Sequence, residues 1–212
     1  MQLLEGIKAV IFDFNGTLFN DTAFHNKAWT DFVAGYGISL NPVDLESNIH
    51  GFTNREILEF LFHRKLQGEE LVRLYEEKEE IYRQICRVNP KQCILTPGAE
   101  AFLDYLRSKS IPCTIASASY LTNVKFYFEL FQLNRWFNID RIIYDSGEYK
   151  GKPNPDMFLA AALKIGTAIN DCMIIEDSVG GIQAARNAGA KKLLRFHLTG
   201  MSANFDVSNS SI

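Results

Sequence analysis

The stretch Val10–Phe19, VIFDFNGTLF, decides the fold, because an apolar run ends there at Asp13 and is followed by an Asn-Gly pair. Between alternating apolar residues, Asn15-Gly16 is a strong local signal for the turn of a β-hairpin. The same residues fit a second interpretation, in which a buried strand ends and the polar residues beyond it form a reaction centre. The rest of the chain decides between the two interpretations.

The composition is typical of a globular protein. The 212 residues are 47% apolar and 22% charged, and the formal net charge is −3. This charge does not favour capture of nucleic acid or of an anionic membrane. No stretch has the roughly 20 unbroken apolar residues of a membrane span, and the N-terminal sequence lacks the pattern of a signal peptide. We therefore expect a cytoplasmic protein with no nucleic acid and no membrane partner. As a separate expectation, we predict a monomer or weak dimer.

The cysteines and histidines form no recognisable metal motif. The four cysteines include no CxxC pair, and two of them open apolar runs that read as buried strands, so we predict reduced thiols in the core of a cytoplasmic protein. They are Cys86, Cys93, Cys113 and Cys172. The four histidines lack the spacing of metal ligands, so a zinc site is not expected.

The apolar pattern divides the chain into a helical segment and an alternating segment. Residues 18–87 have helical periodicity and no strand signal, whereas strand and helix alternate from Thr96 onward. Such alternation is typical of a parallel sheet covered by helices, which is an α/β fold. The strand at Gly6–Phe14 has no partner nearby in sequence, so we predict that it joins the later sheet. The predicted domains are a core formed by residues 1–17 and 88–212 and an inserted helical domain formed by the residues between them.

Polar residues follow the predicted strands at the edge where α/β sheets bind ligands. They are Asp13, Asn15, Ser117, Ser119, Asp145, Glu176 and Asp177, and Lys152 lies in a loop at the same edge. Carboxylates, hydroxyls and a lysine are suited to a divalent cation and a phosphoryl group. The reaction-centre interpretation of Asp13 and Asn15 is therefore favoured over the hairpin.

Four motifs occur in order over nearly the whole chain: DFNGTLF, ASAS, KGKPNPDMF and IIEDSVGGIQAARNAGA. This series resembles the haloacid dehalogenase superfamily, and more narrowly its β-phosphoglucomutase-like branch with a helical, C1-type cap. The resemblance implies a Rossmann-like parallel sheet core with an inserted α-helical cap domain. It also implies phosphatase-type chemistry with Mg²⁺ as the cofactor.

The resemblance assigns a role to each matching core residue. Asp13 would be the nucleophile that becomes an aspartyl-phosphate, Ser117 would hydrogen-bond the transferring phosphoryl group, and Lys152 would balance charge. This chemistry is consistent, since a carboxylate attacks a dianionic phosphate only if cations and donors cancel the repulsion. Glu176 and Asp177 would hold Mg²⁺ together with Asp13 and the backbone carbonyl of residue 15.

At Asn15 the chain departs from the family pattern, which has a second Asp there as general acid and base. An amide cannot exchange a proton near neutral pH, and losing one such group costs on the order of 10²–10⁴ in rate. Four explanations are open: a slow phosphatase, a natural non-catalytic phosphate binder, an introduced substitution, or partial deamidation of Asn15-Gly16. Deamidation is favoured by Gly16, because glycine lets its own amide nitrogen reach the Asn side chain.

The cap of this branch reads the substrate, so we assign candidate substrate-binding residues mainly to the helical segment. They are His25, Gly51, Thr53 and Arg55, with Ser119 from the core. His25 is also a candidate for partial replacement of the missing acid. Arg55 is displaced by one position from the cationic residue that a mutase of this branch needs, which favours hydrolysis.

We therefore expect a Mg²⁺-dependent phosphatase that acts on a small phosphorylated metabolite such as a sugar phosphate, with activity impaired by Asn15. The alternatives are a β-phosphoglucomutase-like phosphomutase and a catalytically degenerate phosphate-binding or regulatory protein. A metal-free dehalogenase, whose branch also lacks the second Asp, is less consistent with the acidic pair in IIEDS.

Overall fold

The chain divides into two compact units. The structure is a computed structural model that describes residues 2–45, 49, 54–199 and 202–206. One unit combines Met1–Asn20 with Ile94–Ile212 and the other is Asp21–Cys93; we call them the sheet unit and the helical unit. The roles of catalytic core and cap that we assign to the two segments stay predictions.

The helical unit contains helices and no strand among its described residues. Its helices are α1 (Thr22–Ala34), α2 (Pro42–Asp44), α3 (Asn54–Phe62) and α4 (Gly68–Val88). The apolar positions of α1 recur at helical spacing and face α4, so that Phe24, Trp29 and Phe32 are buried. None of the described helices is both long enough and apolar enough to span a bilayer.

The sheet unit is built on five strands in the spatial order β2–β1–β3–β4–β5. They are β1 (Ala9–Phe12), β2 (Cys113–Ile115), β3 (Cys172–Glu176), β4 (Lys192–Thr199) and β5 (Ser202–Asp206). The first four are parallel, and β5 pairs antiparallel with β4. The predicted α/β fold is confirmed, with β1 placed between two strands that lie about 100 and 160 residues later.

Helices cover the parallel strands. They are α5 (Ala99–Ser108), α6 (Leu121–Phe131), α7 (Asp156–Lys164) and α8 (Val179–Ala188). All four residues of β1 are buried, as expected for a strand that is covered on both faces. Alanines of α7 and α8 pack with Ala9 and Ile11 of β1 in one core cluster, because small side chains allow a close approach.

Two segments of the sheet unit differ from what their sequence predicts. The segment IDRIIY, which reads as a strand, begins as a 3₁₀ turn at Ile139–Arg141, in which the Asn138 side chain accepts from the Asp140 backbone N–H. Its strand character is reduced to one parallel bridge between Ile143 and Ala116. The polar tail reads as irregular, yet Ser202–Asp206 forms β5 and covers the edge that β4 would otherwise expose.

Candidate active site

The carboxyl edge of the parallel strands brings the predicted core residues together. Asp13 directly follows β1, Ser117 follows β2, and Glu176 ends β3 and is followed by Asp177. Because β1 lies between β2 and β3, the three loops are neighbours. Lys152 reaches the same place from the loop before α7, since its ammonium contacts Asp13.

Lys152 joins two buried carboxylates. Its Nζ lies 2.5 Å from Asp13 Oδ1 and 2.6 Å from Glu176 Oε1. Its side chain is 11% exposed, and the ammonium also lies 5.1 Å from the centroid of the Phe158 ring. Burial lowers the pKa of Lys152, but the two carboxylates raise it by more, so the amine stays protonated. The ammonium therefore supplies a fixed positive charge beside Asp13.

Three carboxylates form one acidic cluster. Asp13, Glu176 and Asp177 each offer an oxygen within 4.8 Å of the others. Burial raises the pKa of Asp177 to about 6, and the charge of Glu176 adds to this. Burial also raises the pKa of Asp13, against the opposing effect of Lys152. One ammonium against three carboxylates leaves negative charge uncompensated, and clustered oxygen ligands of this kind fit a divalent cation such as Mg²⁺.

The Asp177 carboxylate occupies space that a glycine provides. Gly16 has φ +84°, and a Cβ built on it would overlap the Asp177 carboxylate. The carboxylate also accepts a 2.8 Å hydrogen bond from Thr17 Oγ1. Gly16 in DFNGT is therefore required both for its backbone conformation and for its missing side chain. We did not predict this contact of Thr17 from the sequence. The position of Thr17 directly after the Asn15-Gly16 turn could have indicated that its hydroxyl lies near the site.

The Glu176 carboxylate lies against the first turn of α8. It accepts from the Ser178 backbone N–H at 2.6 Å, and Ser178 caps α8 by accepting from the Gly181 N–H. A Cβ built on Gly181 would overlap the Glu176 carboxylate. The sequence EDSVGG thus combines a helix cap with the space that the carboxylate needs.

Asn15 is held through its side-chain amide. Its Nδ2 donates to the Tyr127 hydroxyl at 3.0 Å, and its Oδ1 accepts from Ser119 Oγ at 2.8 Å and from Ser117 Oγ at 3.3 Å. Tyr127 lies on α6, and its ring stacks on Phe14. Sequence reasoning missed Tyr127, because it occupies an ordinary apolar position of an amphipathic helix.

The remaining predicted residues belong to the helical unit. His25 lies on α1, with Nδ1 2.8 Å from Lys78 Nζ and Nε2 3.3 Å from Asp21 Oδ2. Since an ammonium only donates, Nδ1 must be the acceptor, and the Nε2–H points to Asp21. Arg55 is an exposed residue of α3. Gly51 and Thr53 lie outside the described residues, so the structure does not place them.

Comparisons with known proteins bear on the family to which the chain belongs. A family model described as a haloacid dehalogenase-like hydrolase matches residues 7–189. The phosphorylated carbohydrates phosphatase of Thermotoga maritima is 24% identical over 191 residues, 88% of this chain and 84% of the relative. The β-phosphoglucomutase of Bacillus subtilis is 29% identical over 189 residues, 86% of this chain and 80% of the relative.

A solved structure supports the same assignment. The crystal structure of a HAD hydrolase, family IA, variant 3, from Entamoeba histolytica is similar with a TM-score of 0.81 and 35% identity. The similarity covers 87% of this chain and 82% of that one. The resemblance drawn from the four sequence motifs is thereby confirmed. The chain belongs to the haloacid dehalogenase-like hydrolase family.

Proposed function

We propose that this protein is a Mg²⁺-dependent phosphatase that hydrolyses a small phosphomonoester, such as a sugar phosphate. The observation that carries the proposal is the contact of the Asp13 carboxylate with Lys152 inside the cluster of three carboxylates. The Thermotoga maritima relative, which is named for its action on phosphorylated carbohydrates, supports the substrate class.

In the proposed reaction, a carboxylate oxygen of Asp13 attacks the phosphorus atom in line with the ester oxygen. The bond from phosphorus to that oxygen breaks, an aspartyl-phosphate forms, and water then hydrolyses it. The protonated Lys152 offsets the charge of nucleophile and phosphoryl group, and the Ser117 hydroxyl donates to a phosphoryl oxygen. Asp13, Glu176, Asp177 and the backbone carbonyl of Asn15 would hold Mg²⁺, which would supply further charge neutralisation.

Asn15 limits the two proton transfers of this reaction. Its amide can neither protonate the departing oxygen nor take a proton from the attacking water. We therefore expect slow turnover and a preference for esters whose leaving group is stable as an anion. His25, Gly51, Thr53 and Arg55, with Ser119 of the sheet unit, are the proposed substrate contacts.

Phosphate release from p-nitrophenyl phosphate tests the proposal. We expect release that requires Mg²⁺ and disappears in Asp13→Asn. The matched control is Asp171→Asn, since Asp171 precedes β3 at the other edge of the sheet and pairs with the exposed Lys8. Equal rates in the parent and Asp13→Asn, or release without Mg²⁺, would contradict the proposal.

A phosphomutase is the second candidate function, and the β-phosphoglucomutase of Bacillus subtilis at 29% identity favours it. Product analysis with β-glucose 1-phosphate and a bisphosphate primer separates the two. Glucose 6-phosphate would identify a mutase, whereas glucose with inorganic phosphate would identify a phosphatase. Binding of inorganic phosphate without turnover of either substrate would identify a degenerate phosphate-binding protein.

A further inference from the structure

The hydroxyl of Tyr127 contacts the side chain of residue 15 across 112 residues of sequence. Tyr127 is 1% exposed, and its ring stacks on Phe14 with centroids 4.4 Å apart and planes inclined by 20°. This packing fixes the ring and therefore the position of the hydroxyl, which accepts from Asn15 Nδ2. Tyr127 thus contacts both the ring of Phe14 and the side-chain amide of Asn15.

The opposite end of the amide is held from the loop after β2. Ser119 and Ser117 both direct their hydroxyls to Asn15 Oδ1. The Ser119 backbone N–H in turn donates to Ser117 Oγ at 3.1 Å. The Asn15 side chain therefore links three separate elements: the turn after β1, the loop after β2 and helix α6.

The backbone of the turn has hydrogen bonds of its own. The Asp13 N–H donates to the Ile175 carbonyl, and the Gly16 N–H donates to the Phe19 carbonyl at 2.7 Å. These bonds fix the backbone but leave the rotation of the Asn15 side chain undetermined. The hydroxyls of Tyr127 and the two serines restrain that rotation, because they hold both ends of the amide.

We propose that Tyr127 is a positioning residue, which holds the side chain of residue 15 beside Ser117 at the phosphoryl end of the site. This role in catalysis rests on the proposed phosphatase function. The hydrogen bond from Asn15 Nδ2 to the Tyr127 hydroxyl, which we call the tether, does not depend on that function. A single hydrogen bond between neutral groups is worth about fivefold in an equilibrium. Loss of the tether is therefore expected to change the rate of deamidation at Asn15 about fivefold and to leave the fold intact.

Deamidation of Asn15 reports on the tether without any assay of activity. In this reaction the Gly16 nitrogen attacks Asn15 Cγ and loses its proton, while Nδ2 leaves as ammonia. Water then opens the resulting succinimide to aspartate or isoaspartate. Tyr127 holds Nδ2, and the Phe19 carbonyl holds the Gly16 N–H, so the folded protein resists the attack. Removing the Tyr127 hydroxyl frees one of these two restraints.

The experiment compares Tyr127→Phe, which keeps the ring, with Tyr105→Phe on the exposed face of α5. Both proteins are aged at neutral pH, digested and analysed by peptide mass spectrometry. We expect Asn15 to deamidate about fivefold faster in Tyr127→Phe and at the parent rate in Tyr105→Phe. Asn187 on α8 serves as an internal reference in every digest, because general loosening of the sheet unit would accelerate it as well.

Equal rates at Asn15 in Tyr127→Phe and the parent would overturn the proposal. Acceleration of Asn187 to the same extent would also overturn it, since the effect would then be global.

The catalytic part is tested in the Asn15→Asp background. Adding Tyr127→Phe should lower kcat about 10- to 100-fold with little change in KM, because a hydrogen bond to a charged carboxylate is stronger than one between neutral groups, and the substrate keeps its contacts. An unchanged kcat would overturn the positioning role. A protein that is inactive in both backgrounds would contradict the proposed phosphatase function alone, and the deamidation rates would still decide the tether.

Discussion

At residue 15, the groups around the side chain fit either an amide or a carboxylate. The hydroxyls of Tyr127, Ser117 and Ser119 can each donate or accept a hydrogen bond. They accept from and donate to the amide of Asn15 in this structure. Tyr127 and Ser119 can also donate to a carboxylate of the same shape, which leaves the single Ser117 proton for the phosphoryl oxygen. These hydroxyls would therefore hold an aspartate at this residue in the position that the Asn15 amide occupies.

Asn15→Asp should consequently raise the rate of Mg²⁺-dependent phosphate release. We expect a gain of about 10²–10⁴, the usual contribution of one general acid and base. Steady-state release from p-nitrophenyl phosphate measures it, with the exposed Asn134→Asp as the matched control. If Asn15→Asp gave no gain, proton transfer at residue 15 would not limit the reaction, and the acid–base argument would be wrong.

Sequence reasoning identified the residues that follow strands but not their supporting contacts. Asp13, Ser117 and Glu176 were predictable because parallel strands end at one edge of the sheet. Tyr127 was not predictable, since its contact with Asn15 spans 112 residues and depends on how α6 packs. The catalytic and metal-binding roles of the site residues stay predictions.

At the scale of one element, helix α8 contains two neighbouring glycines with different surroundings. A Cβ on Gly181 would overlap the Glu176 carboxylate, whereas a Cβ on Gly180 would meet only the Lys152 Cβ at 4.0 Å. Gly→Ala within a helix normally stabilises by up to about 1 kcal/mol.

We therefore expect Gly180→Ala to raise the free energy of unfolding slightly and Gly181→Ala to lower it by about 1–3 kcal/mol through overpacking. Urea unfolding of the two variants beside the parent measures both effects. Stabilisation by Gly181→Ala would show that the Glu176 carboxylate does not need this space.

Helix α4 carries a buried ion pair. Lys78 Nζ lies 2.7 Å from Glu79 Oε1, with side chains 1% and 2% exposed, and the ammonium lies 4.7 Å from the Trp29 ring centroid. Lys78→Met keeps most of the volume but removes the positive charge that lies 2.7 Å from the Glu79 carboxylate. We expect a loss of about 3–5 kcal/mol in the free energy of unfolding.

The matched control for this variant is the exposed pair of Lys27 and Asp31 on α1. Lys27→Met should cost less than about 1 kcal/mol, because exposed ion pairs contribute little. Lys78→Met combined with Glu79→Gln should recover part of the loss. Equal effects of Lys78→Met and Lys27→Met in chemical unfolding would contradict the importance of the buried charge.

Prediction of the elements succeeded where one local signal dominated. The apolar spacing predicts one long, charged helix over Gly68–Val88, and α4 has these bounds because its apolar positions recur over six turns. The segment IDRIIY has β-branched residues, but the Asn138 side chain binds the Asp140 N–H and begins a 3₁₀ turn instead. The strand Ser202–Asp206 has little β propensity, and its pairing with β4 stabilises it.

At the scale of the whole molecule, the four cysteines are free thiols, as far as the described residues show. Burial raises the pKa of Cys172 to about 11 and of Cys113 to about 12, and it also raises the pKa of Cys86. Since the thiolate is the reactive form, these thiols should react with iodoacetamide at pH 8 far more slowly in the native protein than in urea.

The same shifts have a consequence for alkaline stability. A thiol with a raised pKa contributes stability that is fully present below its unfolded pKa of about 8.5 and is lost as the pH rises through the folded value. The midpoint of thermal unfolding should therefore fall between about pH 8.5 and pH 11. Cys172→Ala should reduce this fall. Equal rates of alkylation in native and unfolded protein would show that the thiols are accessible and that their pKa values are not raised.

We expect Mg²⁺ binding at the acidic cluster to stabilise the sheet unit. The three carboxylates repel one another, and the Lys152 ammonium offsets this repulsion in part. Mg²⁺ at about 100 times its Kd should therefore raise the free energy of unfolding by about 2.7 kcal/mol. For a chain of this size, that corresponds to a rise of about 5–10 °C in the unfolding midpoint, which EDTA should reverse. The control Asp171→Asn should keep the whole rise, because Asp171 pairs with Lys8 outside the cluster.

Asp177→Asn provides the sharpest form of this test. Burial raises the pKa of Asp177 to about 6, so its ionisation at pH 7.5 costs folding free energy in the absence of metal. Without Mg²⁺, Asp177→Asn should therefore unfold at a higher temperature than the parent, and with saturating Mg²⁺ the order should reverse because the variant has lost a ligand. Differential scanning fluorimetry, with EDTA and with saturating Mg²⁺, measures the unfolding temperatures of the parent and the variant under both conditions. A parent midpoint that does not respond to Mg²⁺, or a variant that responds as strongly as the parent, would place the metal elsewhere.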